Sequence, residues 1–225
     1  HGVDLLVQRG DRLAIMGPNG IGKSTLLKIA VGKVAPDAGE VEWGYETHLG
    51  YFAQDQEEDF HPPNATAEQW VRQHFPDQTI GAVRKRLGMV LFSGDDVEKP
   101  LSALSGGEAA RLVFARLALS SPNVLILDEP TIGIDPVQVV ETRKLIQNLG
   151  EDHTLILSSH ILPEVTSICK RILVIHEGKI VADDTPENLS KRLQTSNLCE
   201  IKVKNGKNNN IVKLLRNEKF IVDIR

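Results

Sequence analysis

The chain has 225 residues, enough for one large α/β domain with a short appendage, and its 41% hydrophobic and 25% charged content is that of an ordinary globular protein. A formal net charge of −4 argues against a nonspecific nucleic-acid binder, so no direct DNA binding is expected. No apolar stretch approaches the length needed to cross a bilayer and no signal peptide is visible, so any membrane role must run through a partner. Cys169 and Cys199 have no metal-like spacing and point to a reducing, cytoplasmic compartment without a disulfide framework.

Residues 3–16 read as two short strands around a turn at Arg9-Gly10-Asp11, the second being Leu13-Ala14-Ile15-Met16. It runs into Gly17-Pro18-Asn19-Gly20-Ile21-Gly22-Lys23-Ser24-Thr25, which fits the phosphate-binding pattern G-x-x-x-x-G-K-[ST]. Leu26, Leu27, Ile29 and Ala30 then recur at helical spacing. In this strand–loop–helix context the backbone N–H groups around Gly17, Asn19, Gly20 and Gly22 can curl about an anion at a positive helix end. Lys23 would reach the β- and γ-phosphates of a nucleotide such as ATP, with Thr25 beside it. The Ser24 hydroxyl would ligate Mg2+.

Pro36 to Gly39 is a turn, Glu40-Val41-Glu42-Trp43 alternates like a half-buried strand, and His48 to Ala53 is a further strand ending on Gln54. Asp55 to Pro63 is an acidic loop. Residues 65–92 carry two helical stripes, Ala67, Trp70, Val71 and Phe75, then Ile80, Val83, Leu87 and Val90, punctuated by Pro76 and Gly88. Together with the next helix they form an inserted helical subdomain over about 62–120. That helix opens at Leu104-Ser105-Gly106-Gly107-Glu108. Serine is a natural N-cap and two glycines allow close backbone approach, so Ser105, Gly106 and Gly107 make a second anion cradle. One chain does not need two cradles for one triphosphate, which argues for a nucleotide shared with another copy.

Val124 to Leu127 is a continuous apolar run, as in a strand of a parallel sheet buried on both faces, and it ends on Asp128-Glu129-Pro130. A helix over 137–149 stopping at Gly150, a strand from Thr154 to Ser159 ending at His160, a helix to about Cys169 and a hairpin turning at Glu177-Gly178-Lys179 follow. The core is set at 1–190 and an appendix at 191–225, within which the polar, flexible Asn205 to Asn210 stretch reads as a linker and Lys202, Lys204, Lys207 and Lys213 are mildly basic. Starting on His1 and stopping on an apolar run at Phe220 to Ile224, both ends read as trimmed. Such alternation implies βαβ units and a parallel sheet whose strand ends gather along one rim. Gln54, Asp128, Glu129 and His160 should therefore converge on the phosphate loop. Asp128 fits a magnesium partner with Ser24 and Gln54, Glu129 a base for water, and His160 a hydrogen bond to the γ-phosphate or that water.

The set GPNGIGKST, Gln54, LSGGE, VLILDEP and His160 resembles the nucleotide-binding domain of the ATP-binding cassette (ABC) superfamily. The resemblance implies an α/β P-loop NTPase fold with a mostly parallel core sheet, a small antiparallel β-subdomain and the helical insert. It implies a head-to-tail dimer of cassettes, homo- or heteromeric, with two ATP molecules between the Lys23 side of one and the Ser105 side of the other. Glu129 would be the catalytic base, His160 the switch histidine and Asp135 part of the loop that acts across the dimer. Two departures stand out. No aromatic residue upstream of the phosphate loop offers itself for adenine stacking. The stretches 50–55 and 91–96 resemble ABC-F proteins, which act on ribosomes, whereas 131–136, 158–165 and the 177–179 turn resemble ATPase subunits that pair with permeases. ABC-F proteins typically carry an asparagine-histidine pair where Ile132-Gly133 stands. The expected partner is the permease of an exporter at the inner face of the plasma membrane, with the ribosome as the alternative.

Overall fold

The computed structural model describes residues 2–55, 60–92 and 94–194. Residues 1–189 form one compact unit. Its centre is a six-stranded sheet of β1 (Arg12–Met16), β2 (Leu49–Phe52), β3 (Val124–Asp128), β4 (Thr154–Ser159), β5 (Arg171–His176) and β6 (Lys179–Asp184) in the order β2-β3-β4-β1-β5-β6. The first five strands run parallel and only the β5–β6 hairpin is antiparallel. Five carboxyl ends therefore share one rim, with β1 and its loop between β4 and β5.

Strand alternation sorts the apolar residues onto two faces. Leu13 and Ile15 of β1 join Ile126, Ile156 and Leu173 beneath α1 (Lys23–Ala30), whose Leu27 is buried there. Ala14, Phe52, Leu125, Leu157 and Ile172 face the other way. That face is covered by α2 (Ala67–His74), α3 (Ile80–Met89), α4 (Gly106–Ser120), α5 (Pro136–Asp152) and α6 (Leu162–Ile168). Phe52 stacks on Phe114 of α4 with ring centroids 4.7 Å apart, tying the strand that leads to Gln54 to the helix that carries the second cradle. Of the stripes expected over 65–92, Ala67, Trp70, Val71, Val83, Leu87 and Val90 are buried, whereas Phe75 is half-buried and Ile80 is exposed. A last helix, α7, spans Pro186–Gln194.

Three expectations are corrected. Residues 3–7 and 40–43 form no strand: Leu5, Val7 and Trp43 pack against the α1-side core, but no neighbouring strand pairs with them, so alternation alone makes no ladder. Trp43 is held instead by its Nε1–H, which donates to the Ala30 carbonyl at 2.8 Å. The antiparallel part of the fold is the β5–β6 pair on the main sheet. Helix α5 runs through Gly150 and ends where His153, in extended backbone, approaches the Leu149 carbonyl through Nδ1 at 2.6 Å. Glycine disfavours a helix interior by only about 1 kcal/mol, which tertiary packing overrides. The appendix, including Cys199 and its lysines, lies from residue 195 on outside the described residues.

Candidate active site

The phosphate loop leaves the centre of the sheet, where Ile15 is in register with Ser158. A Cβ at Gly17 would sit 2.7 Å from the Ile175 carbonyl oxygen, so this position accepts no side chain without moving the backbone. Gly22 precedes α1 with φ 103°, a left-handed conformation suited to glycine, and no side chain caps the helix. The first N–H groups of α1 therefore face the loop with their dipole, as an anion site requires. Asn19, Gly20, Gly22, Ser24 and Thr25 line a cavity of about 260 Å³ together with Lys23, Gln54, Glu129 and Ile132.

Three strand ends meet this cavity. At the end of β3, Asp128 Oδ1 accepts hydrogen bonds from Ser24 Oγ at 2.9 Å and from Ser158 Oγ at 2.6 Å. Ser24 Oγ also lies 3.5 Å from Gln54 Oε1, beyond the end of β2. Asp128 is fully buried and its Oδ2 has no hydrogen-bond partner. A buried carboxylate oxygen without a donor is costly, so a cation or its water shell fits this position. The donor set is all oxygen, which suits magnesium. Tyr51 lies close enough to feel the Asp128 charge, though its hydroxyl has no partner in bonding geometry; burial first, then Asp128, push the phenol up to about 12.

Glu129, the next residue, is held on both carboxylate oxygens. Oε1 is 3.1 Å from Lys23 Nζ and Oε2 accepts from His160 Nδ1 at 3.0 Å. Glu129 has φ 46°, a strained value for a non-glycine residue, and its N–H donates to Ser158 Oγ at 2.9 Å. Lys23 is only 5% exposed and also donates to the carbonyls of Gly17 at 2.8 Å and Pro18 at 3.2 Å. The candidate phosphate-binding lysine and the candidate base thus neutralise each other inside the loop.

The second cradle stands apart from this cavity. Ser105 Oγ accepts from the Glu108 N–H at 3.3 Å while the Glu108 carboxylate accepts from the Ser105 N–H at 2.7 Å, a complete capping box on α4. Burial pushes the Glu108 carboxyl up, but bonds from Lys99 and Ser105 outweigh it and hold it below its ordinary value. A Cβ at Gly107 would overlap the Gln138 amide, and one at Gly106 would come 3.3 Å from the Gly133 carbonyl oxygen. The two glycines thus also let α4 pack on the chain's own 133–138 segment, a reason their sequence pattern did not show. Asp135 caps α5 by accepting from the N–H groups of Val137 at 3.0 Å and Gln138 at 3.1 Å. Of the second-cradle residues only Gly106 lines the larger neighbouring cavity of about 560 Å³; Ser105, Gly107 and Asp135 line neither. Lys23, Ser24, Gln54, Asp128, Glu129 and His160 converge; of the second-cradle residues Gly106 shares the larger cavity with Gln54 and Glu129, while Ser105, Gly107 and Asp135 stand apart.

Ser158 escaped the sequence reading, although a buried strand that closes in two hydroxyls before a histidine was a usable signal. Residues 1–132 match the family model described as "ABC transporter". The chain belongs to the ABC transporter family. It is 41% identical over 80% of its length to the "Probable ATP-binding protein YbiT" of Escherichia coli O157:H7, covering 33% of that protein. It is 32% identical over 84% of its length to "Nod factor export ATP-binding protein I" of Ralstonia nicotianae, covering 63% of it. Among solved structures, cbiO1 from Clostridium perfringens, described as part of the ABC transporter complex cbiONQ, superposes with a TM-score of 0.71 at 26% identity, over 96% of this chain and 91% of that one. The chain spans about a quarter to a third of the length of several relatives, YbiT and the yeast protein GCN20 among them. It is an ABC cassette with an ATPase fold, and the family binds and hydrolyses ATP.

Proposed function

We propose that this cassette hydrolyses Mg-ATP at a site shared between two copies and passes the closing motion to a permease of the exporter class. The cluster in which Lys23 and Glu129 line the phosphate-loop cavity, with Asp128 bonded to Ser24 and His160 to Glu129, carries this reading. ATP entering the cavity would meet the N-terminus of α1 and draw Lys23 from Glu129 to its β- and γ-phosphates. Glu129, freed on Oε1, would accept a proton from the attacking water, while His160 holds Oε2 and so fixes the carboxylate's direction. Asp128, Ser24 and Gln54 would hold magnesium, which neutralises phosphate charge when bound.

Ser105, Gly107 and Asp135 lie outside the chain's own phosphate cavity, which supports their acting on the nucleotide of a partner cassette, head to tail. The cassette would end near residue 190. The likeness to the Nod factor export protein supports the permease assignment, under which the chain would sit on the inner face of the plasma membrane. The likeness, at 33% identity, to "ABC transporter F family member 2" of Arabidopsis thaliana, together with the ABC-F-like stretches 50–55 and 91–96, favours a second reading, a ribosome-associated ATPase. Phosphate release by the wild-type chain and by Glu129→Gln tests the reaction: turnover lost in the variant supports the base role, and equal turnover refutes it. Stimulation by permease-bearing vesicles supports the first partner, and stimulation by ribosomes alone the second.

A further inference from the structure

Glu164 on α6 is 4% exposed and belongs to no part of the site described above. Its carboxylate accepts from the Thr131 hydroxyl, which lies 2.9 Å from both Oε1 and Oε2. Oε2 also accepts from Ser159 Oγ at 3.1 Å, and Ser159 Oγ in turn accepts from the Ile161 N–H at 3.0 Å. Thr131 stands two residues after Glu129, and the turn between them is closed by the Ile132 N–H donating to the Glu129 carbonyl at 3.0 Å. Ser159 immediately precedes His160. One buried carboxylate therefore ties the β3–α5 loop to the β4–α6 loop, the two loops that bring Glu129 and His160 to 3.0 Å.

Stability is a poor explanation for this arrangement. Among the described residues the cation paired with this carboxylate is Arg143, with Nη2 3.8 Å from Oε1, too long for a hydrogen bond. Arg143 Nε, also buried, has no hydrogen-bond partner. A buried charge paired this loosely is commonly replaceable by apolar packing without loss of stability. It does give directional acceptors to two hydroxyls, one on the β3–α5 loop and one on the last residue of β4, which apolar packing cannot. Glu129 needs such support, since its φ of 46° is strained and persists only where its surroundings over-determine it.

We infer that Glu164 is a positioning residue for hydrolysis: through Thr131 and Ser159 it sets the distance and angle at which His160 orients Glu129. The inference rests on the base role of Glu129. The test measures kcat, KM for ATP and Tm on the full chain for Thr131→Val, Thr131→Ser and Glu164→Gln, with Glu129→Gln alongside. Misplacement of a catalytic group by a fraction of an ångström to one ångström lowers kcat by about ten- to a hundredfold. Thr131→Val and Glu164→Gln should show that loss with KM for ATP within about twofold, and Thr131→Ser, which keeps the hydroxyl, should restore kcat. In a His160→Ala background, Thr131→Val should cost less than about twofold more, because the loss runs through the histidine. Wild-type kcat in Thr131→Val, or full additivity with His160→Ala, overturns the inference while Glu129→Gln remains inactive. Thr131→Val is close to isosteric and carries the test even where Glu164→Gln fails to fold. Wild-type turnover in Glu129→Gln would instead defeat the base role and this inference with it.

Discussion

The ion pair between Lys23 and Glu129 makes nucleotide affinity depend on a residue that need not touch the nucleotide. At 3.1 Å, with both side chains nearly buried, the gross Coulomb attraction is about 5 kcal/mol for an effective dielectric of about 20. Desolvation of two ions offsets most of it, leaving about 1–2 kcal/mol that incoming phosphate must displace. Glu129→Gln removes that competitor and one negative charge beside the triphosphate, while Lys23 keeps its bonds to the Gly17 and Pro18 carbonyls. The dissociation constant for ATP should therefore fall about 5- to 30-fold in the variant. Isothermal titration with Mg-ATP, at protein concentrations low enough to keep the chain monomeric, measures it. An unchanged or weaker affinity would show that Lys23 and Glu129 do not compete and would refute the reasoning.

Three further outcomes follow from the geometry. Ser105→Ala should lower stability by about 1 kcal/mol without any nucleotide, through loss of the α4 cap, and should also slow turnover; differential calorimetry and phosphate release separate the two effects. Gly17→Ala forces a methyl against the Ile175 carbonyl and should cost about 1–3 kcal/mol in urea unfolding while weakening ATP binding. The Cys169 thiol is buried, and burial pushes it up to about 12, so peptide mapping should find it unlabelled by iodoacetamide in the folded chain at pH 8 and labelled in urea.

The phosphate loop, the parallel core and the strand-end residues were legible because their signals are local. A glycine pattern, an apolar run and the polar residue closing it lie within a few positions of one another. Parallel pairing then sends Asp128, Glu129 and His160 to one rim without further information. Contacts between distant segments were not legible. Nothing near Lys23 announces that it pairs with Glu129 across the loop, and nothing near Gly107 announces that Gln138 fills its missing Cβ. Glu164 reads locally as an ordinary acid in the first turn of a helix; only the fold sets Thr131 and Ser159 against it. The alternation at 40–43 misled for the converse reason, since a strand is a pairing and not a pattern.

The measurement that bears most directly on the shared-site account is the mass of Glu129→Gln with and without Mg-ATP, by light scattering across a range of concentrations. On the proposed head-to-tail reading Ser105 and Asp135 act on the nucleotide of a second copy, so the account predicts a monomer that becomes a dimer when ATP is added and stays one while ATP is uncleaved. A chain that binds ATP yet remains monomeric at the highest concentration would contradict it.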